Sequence, residues 1–350
     1  MTVNLDTRLI AGFQFQCLPG CGLCCYTTPA VAPAERAVLI QLDPSAPLLD
    51  TSEGWGQIGS RPEGGACYFL QQERCSCHAL RPATCAEFPL TAHVGSRIQV
   101  SVVLTCPGVE LESLRRRGEG SHPGAVSPDL RSELEAVTLE VRRAEAGGQL
   151  RWAAQRRQSV ERRLRRAGIW QSEEEVRTAL QGRLNALVPT ELIPEDGPGE
   201  EDELETLPLF YDPALGRVAW RSHPGGVEFL TLRESGGIAA HLEVLSPPVR
   251  TPGLNETSRT LLRGYLGYLL ERDATISTAY QLLLVEPSEL PEEVVAEDLR
   301  SAAGQVIRMA VLRRALTSDR RGELRVDDVE NGIRATDMDL LDRATAGLRL

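Results

Sequence analysis

Nine cysteines confined to residues 17–106 constrain this 350-residue chain more than any other feature. They stand at 17, 21, 24, 25, 67, 75, 77, 85 and 106, and none follows. Disulfide frameworks belong to short secreted chains. The opening stretch MTVNLDTRLIAGFQFQ has neither a basic segment nor a long apolar run, so no export signal is expected. Thiols gathered in one segment of such a chain point to metal, because thiolate is a soft ligand that selects zinc, copper(I) or iron–sulfur clusters.

The first group reads Cys17-Leu18-Pro19-Gly20-Cys21-Gly22-Leu23-Cys24-Cys25. Its glycines let the backbone fold back so that neighbouring sulfurs converge. The spacing C-x3-C-x2-C is also that of radical enzymes that cleave S-adenosylmethionine, but no run of βα units follows here. Cys24 and Cys25 are adjacent and point in different directions, which predicts service to two centres or to opposite sides of one. The second group is Cys67, then Cys75-Ser76-Cys77-His78, Arg81-Pro82-Ala83-Thr84-Cys85, Phe88-Pro89 and Cys106-Pro107-Gly108. Its prolines read as fixed turns holding ligand loops. Structural zinc usually takes paired knuckles, whereas this irregular run favours at least one [4Fe–4S] cluster. Zinc is the alternative, and eight thiolates would complete two four-cysteine sites.

The combined pattern, C-x3-C-x2-C-C, Cys67-x-x-Leu70, Cys75 ahead of Arg81-Pro82-x-x-Cys85-x-x-Phe88-Pro89, and Cys106-Pro107-Gly108, resembles the YkgJ-type cysteine-cluster family over about residues 12–110. That family is described as a zinc- or iron-chelating domain. The chain is more distantly similar to the flagellin lysine-N-methylases. The resemblance implies ligand roles for Cys17, Cys21, Cys24, Cys25, Cys67, Cys75, Cys85 and Cys106. Cys77 falls where the family has an apolar residue, so its role and that of His78 stay open.

Beyond the cysteines, Ser127-Pro128 and the Ser172-to-Glu175 capping box start helices, and Gly147-Gly148 separates two of them. The helix predicted over 149–166 carries seven arginines, read either as a solvated face or as a grip for RNA or an acidic partner. Segments near 207–245 alternate like a small antiparallel meander, with His223 and His241 beside it. Residues from 254 onward are helical, and Tyr265, Tyr268 and Tyr280 fall at core or pocket positions. The fold class expected is α+β: an irregular, metal-nucleated, cysteine-rich N-terminal domain and a mainly helical remainder with a small antiparallel sheet. The divisions are 1–110 (cysteine cluster), 111–193 (helical middle), 194–205 (acidic linker), 206–250 (sheet) and 251–350 (helical).

The formal charge of −11 argues against nucleic acid and anionic membranes as partners, and a cytoplasmic location is expected. All 38 basic residues are arginine. Genome composition explains that, or a reactive amine is excluded because the protein modifies lysine. Two functions follow. One is an iron–sulfur protein acting as an S-adenosylmethionine-dependent protein lysine N-methyltransferase with a protein substrate. The other is a non-enzymatic zinc- or iron-binding module, structural or redox-sensing.

Overall fold

The cysteine-bearing segment is assembled from short pieces, as its glycine and proline content dictates. In the computed structural model, residues 4–345 are described except 27–28, 51–55, 62–63, 73, 122–123, 190–208, 224–225, 234–236, 243–252, 286, 288 and 317–322. β1 (Leu5–Asp6) is followed by β2 (Ala30–Val31), α1 (Pro33–Leu42), β3 (Leu48–Asp50) and β4 (Gly56–Ile58), and β4 is central in an antiparallel sheet ordered β2-β4-β3. Two small hairpins come next, β5 (Ser60–Arg61) with β6 (Gly64–Cys67), and β7 (Leu70–Gln71) with β8 (Arg74–Cys75). The one-turn helix α2 (Ala83–Ala86) leads to the hairpin of β9 (Leu90–Val94) and β10 (Ile98–Val102), which β1 joins in parallel. Pairs of such short strands are not stable by themselves. Here Val31, Leu39, Ile58, Phe69 and Leu70 bury a small cluster together with Cys25, Cys67 and Cys77.

The middle of the chain follows its local signals. α3 (Glu112–Gly118) closes the first part. Ser127 accepts a hydrogen bond from the Asp129 amide at the single turn that opens α4 (Arg131–Ala146), and Gly148 at φ 79° separates it from α5 (Gln149–Ala167). Ser172 and Glu175 form the reciprocal capping box of α6 (Glu173–Gln181). On α5, Arg165 pairs with Glu161 on the exposed face, and Arg157 reaches the buried Glu173 at the start of α6. The acidic stretch 194–205 lies outside the described residues.

The predicted meander is present as β11 (Leu209–Asp212), β12 (Gly216–His223), β13 (Gly226–Leu232) and β14 (Ile238–His241), antiparallel in chain order. Four helices complete the fold: α7 (Glu256–Glu271), α8 (Asp273–Val285), α9 (Pro291–Leu316) and α10 (Val326–Thr345). No helix among the described residues is long and apolar enough to cross a membrane.

One apolar core runs from the first residues to the last helix. Leu9, Ile10 and Phe13, with Val100, Val102 and Leu104, pack against Tyr265, Tyr268 and Leu269 of α7 and Val306 of α9. Tyr265, Tyr268 and Tyr280 are therefore core residues, and the Tyr268 hydroxyl accepts from the Val102 amide at 2.7 Å and donates to its carbonyl at 2.9 Å. α3 and α7 cross with Gly118 against Thr260 and Gly264 against Leu114, backbone to backbone. A second core seats the β11–β14 sheet, through Phe210, Val218, Trp220 and Phe229, on Met309, Leu312 and Ala335 of α9 and α10. This placement brings β12 and α10 beside the cysteine loops.

Candidate metal centre

The Cys17–Cys25 loop is shaped by its two left-handed glycines, Gly20 at φ 79° and Gly22 at φ 56°. The Cys21 amide donates to the Leu18 carbonyl at 3.2 Å, and the Cys25 amide donates to that of Gly22 at 3.0 Å. A 3-10 turn over Leu23–Tyr26 then turns Cys24 and Cys25 to different surroundings. Cys25 is buried in the small apolar cluster, and Cys24 is half-buried at its edge.

Cys67 ends β6 and is buried. The β7–β8 hairpin pairs Leu70 with Cys75, and Ser76 folds back on the Phe69 carbonyl through its amide at 2.8 Å and its hydroxyl at 3.0 Å. This places the Cys75 and Cys77 sulfurs 3.6 Å apart. Pro82 carries Cys85 onto α2, where the Cys85 amide donates to the Pro82 carbonyl at 2.9 Å. Glu35 of α1 holds that helix by accepting from the Ala83 amide (3.2 Å) and from Arg143 of α4 (2.8 Å). The Phe88–Pro89 bond is cis.

Cys106 arrives from the other side. Its loop and the Cys17 loop are laced by backbone: the Gln16 amide donates to Gly108 at 2.9 Å, and Phe15 bridges Val109. A Cβ at Gly108 would fall on the Gln16 carbonyl, which is why the Cys-Pro-Gly motif needs its glycine.

None of the nine cysteines is in a disulfide, and Cys17 alone is exposed. Cys25 lies within hydrogen-bonding reach of both Cys24 and Cys75, so the sulfurs of Cys24, Cys25, Cys75 and Cys77 run in series. The thiol hydrogens order that series. Hydrogen bonds from Cys25 and Cys77 pull Cys75 down to about 3, a hydrogen bond from Cys25 lowers Cys24, and the donors Cys25 and Cys77 are raised. Cys67 and Cys85 stand close enough for their charges to raise Cys77, and Cys85 is itself raised chiefly by burial. Burial also pushes Cys21 up to about 11 and Cys106 up to about 12, each opposed by one arginine, Arg217 and Arg334 respectively. Buried sulfurs at this density stay protonated unless a cation replaces the protons and balances the thiolate charge.

The donor set is all sulfur and suits a soft metal. Among the described residues, no three His, Cys, Asp or Glu side chains are grouped as one ion would hold them. His78 is exposed, with Nε2 3.0 Å from Arg81 Nη1. His241 pairs with Glu228 at 2.6 Å on the meander, and the His223 side chain lies outside the described residues. Cys77, which the family resemblance left unassigned, is 4% exposed and touches Cys75, so the structure puts it among the clustered thiols. The C-x-C spacing and the Ser between them were the available signal. Arg217 and Arg334, which grip the cysteine loops, carried no sequence signal at all.

Comparison with known proteins bears on the same segment. Residues 16–107 match the family model CxxCxxCC, "Putative zinc- or iron-chelating domain". No curated protein and no solved structure matches the chain. The match supports metal binding and does not extend to methyl transfer or to a particular cluster.

Proposed function

We infer that this chain, whose residues 16–107 match a zinc- or iron-chelating domain, takes up zinc or iron at the Cys75–Cys77 pair, and that binding draws the neighbouring Cys24 and Cys25 sulfurs onto the same ion. Cys67 and Cys85 flank that site, and Cys17, Cys21 and Cys106 supply a second set of ligands to the metal centre, meeting the first at Cys24. The protein is read as a metal-dependent structural or redox module. The observation that carries this is the 3.6 Å separation of the Cys75 and Cys77 sulfurs. Two thiolates on one tetrahedral ion, each about 2.3 Å from it, stand about 3.8 Å apart. A four-iron cluster gives each iron one cysteine and holds the four sulfurs well apart. The C-x-C pair therefore favours a single ion, or one corner of a [2Fe–2S] centre, over the [4Fe–4S] cluster that the irregular spacing suggests.

When bound, the ion supplies a cross-link between the two cysteine groups and, if it is iron, one-electron chemistry. The residues around it do the rest: Cys25 and Cys77 give up their protons, and the apolar wall of Val31, Leu39 and Phe69 excludes water. Nine thiols without a disulfide suit a reducing compartment, so cytoplasmic residence belongs to this proposal. Anaerobic purification with metal and acid-labile sulfide analysis tests it. Zinc or iron without sulfide, lost in Cys75→Ser and in Cys77→Ser, is the expected result. Four irons with four sulfides would replace the single ion by a cluster, and a metal-free native chain would refute the whole reading.

One observation supports the enzymatic alternative. Cys17 is exposed, so the Cys17–Cys21–Cys24 edge is the side that a small molecule such as S-adenosylmethionine would approach, ahead of a protein lysine substrate. Calorimetric titration of the metal-loaded chain with S-adenosylmethionine decides it, and no heat of binding removes the alternative.

A further inference from the structure

Arg217 and Arg334 lie far beyond residue 107, yet both guanidinium groups end on the loops that carry Cys21 and Cys106. Arg217, on β12, donates from Nε to the Cys21 carbonyl and from Nη2 to the Gly20 carbonyl, each at 2.9 Å. Its guanidinium carbon also lies 5.7 Å from the Tyr26 ring centroid. The two carbonyls belong to a turn with left-handed glycines, where no helix or ladder partner is provided. Arg334, on α10, donates from Nη1 to the carbonyls of Leu104 (3.2 Å) and Cys106 (2.6 Å), and from Nη2 to that of Val109 (2.8 Å). The planar fork of arginine matches carbonyls in pairs, whereas a lysine ammonium acts as a point donor.

We infer that Arg217 and Arg334 are positioning residues of the metal centre, holding the Cys21 and Cys106 loops in place from two C-terminal elements. Metal binding and the docking of β12 and α10 are then one linked equilibrium. The inference rests on the metal reading above. Its physical basis is that hydrogen bonds orienting a ligand govern metal affinity by roughly 10- to 100-fold. Linkage makes the effect reciprocal: a clamp that favours metal must itself be favoured by metal.

The test uses the full chain and cobalt(II), titrated against a competing chelator and followed by the thiolate-to-cobalt absorption band. Arg217→Gln and Arg334→Gln are expected to bind cobalt roughly 10- to 100-fold more weakly than wild type, and Arg217→Lys to fall between. Arg221→Gln, on the same strand but paired with Glu228 at 2.7 Å, serves as control and is expected to bind as wild type does. Equal melting temperatures of the metal-free Arg217→Gln and Arg221→Gln chains would separate loop positioning from general stability. In wild type, cobalt is expected to slow amide hydrogen exchange in residues 216–223 and 326–337. Affinities of both glutamine variants within twofold of wild type, an equal loss in the Arg221 control, or unchanged exchange in those two elements would overturn the proposal. Should Arg217→Gln fail to fold, Arg217→Lys and the wild-type exchange experiment decide alone. A wild-type chain that takes up no cobalt overturns the metal reading and this inference together, whereas cobalt uptake with indifferent arginine variants overturns only the latter.

Discussion

Single residues fix how closely the cysteine loops approach. Gly108 has no room for a side chain, because the Gln16 carbonyl occupies the place of its Cβ. Gly108→Ala is expected to push the Cys106 loop off the Cys17 loop, destabilising the chain by about 1–3 kcal/mol and lowering metal per chain. Denaturant unfolding together with metal analysis reads both, and a variant with unchanged metal content would separate the turn from the site. His93 on β9 is a second informative residue. Burial holds it below the ordinary 6.5, against the pull of Asp273, and its Nε2 lies 3.2 Å from the Ser277 hydroxyl. The folded state thus resists a proton that the unfolded chain accepts. Stability from this group is complete above about pH 6.5 and is lost as the pH falls through the lower folded value. His93→Gln should flatten the fall in unfolding midpoint between about pH 7 and pH 5. An unchanged pH slope would show that other groups dominate.

At the level of elements, the α3–α7 crossing is set by two glycines, and α7 offers its own control. A methyl group at Gly264 would strike the Leu114 carbonyl, whereas one at Gly267 would meet Leu184 Cδ1 at an ordinary 3.5 Å. Gly264→Ala should therefore cost about 1–3 kcal/mol or more, while Gly267→Ala should be neutral or stabilising by up to about 1 kcal/mol through helix propensity. Thermal unfolding of the two variants compares them directly, and equal effects would mean the crossing is not backbone-limited. The helices were readable because their signals are local. Ser127, Gly147-Gly148 and the Ser172–Glu175 box mark ends that the structure places within a residue or so. The meander was readable from its alternation. The strands β5 to β8, two to four residues long, were not, since a period of two cannot register in pieces that short. The pairing of Cys75 with Cys77 is marked in the sequence only by its C-x-C spacing, because the close approach itself depends on Ser76 folding back onto Phe69.

Across the whole molecule, the cysteine segment shares its core with the C-terminal helices. The Phe13 and Tyr268 rings meet edge to face at 5.5 Å, the Leu104 amide donates to buried Asp337 at 2.7 Å, and Arg272 joins that carboxylate at 3.0 Å while donating to the Val102 carbonyl at 2.8 Å. A fragment ending at residue 110 would expose Phe13, Val100, Val102 and Leu104, all buried in the full chain. It is expected to be insoluble or loosely packed, and the intact chain to unfold in one transition with coincident circular dichroism and tyrosine fluorescence. A soluble, cooperatively unfolding 1–110 fragment would refute that. Contacts such as Leu104–Asp337 join residues more than two hundred positions apart, so no local pattern in the sequence could announce them. The sequence alone marks which residues bear thiols and leaves open which distant elements hold them.

The Arg334 grip on Cys106 also has a consequence in time. The two residues are separated by 228 positions, and a ribosome adding about 5–20 residues per second needs roughly 10 to 45 s to cover that distance. During this interval every cysteine has been made while α10 has not. Nascent chains arrested before residue 334 should accordingly surrender their metal to a chelator faster than the released protein does. If the clamp acts as inferred, the order of synthesis would postpone firm metal capture until the chain is almost complete, and a truncated translation product would give its ion back instead of sequestering it.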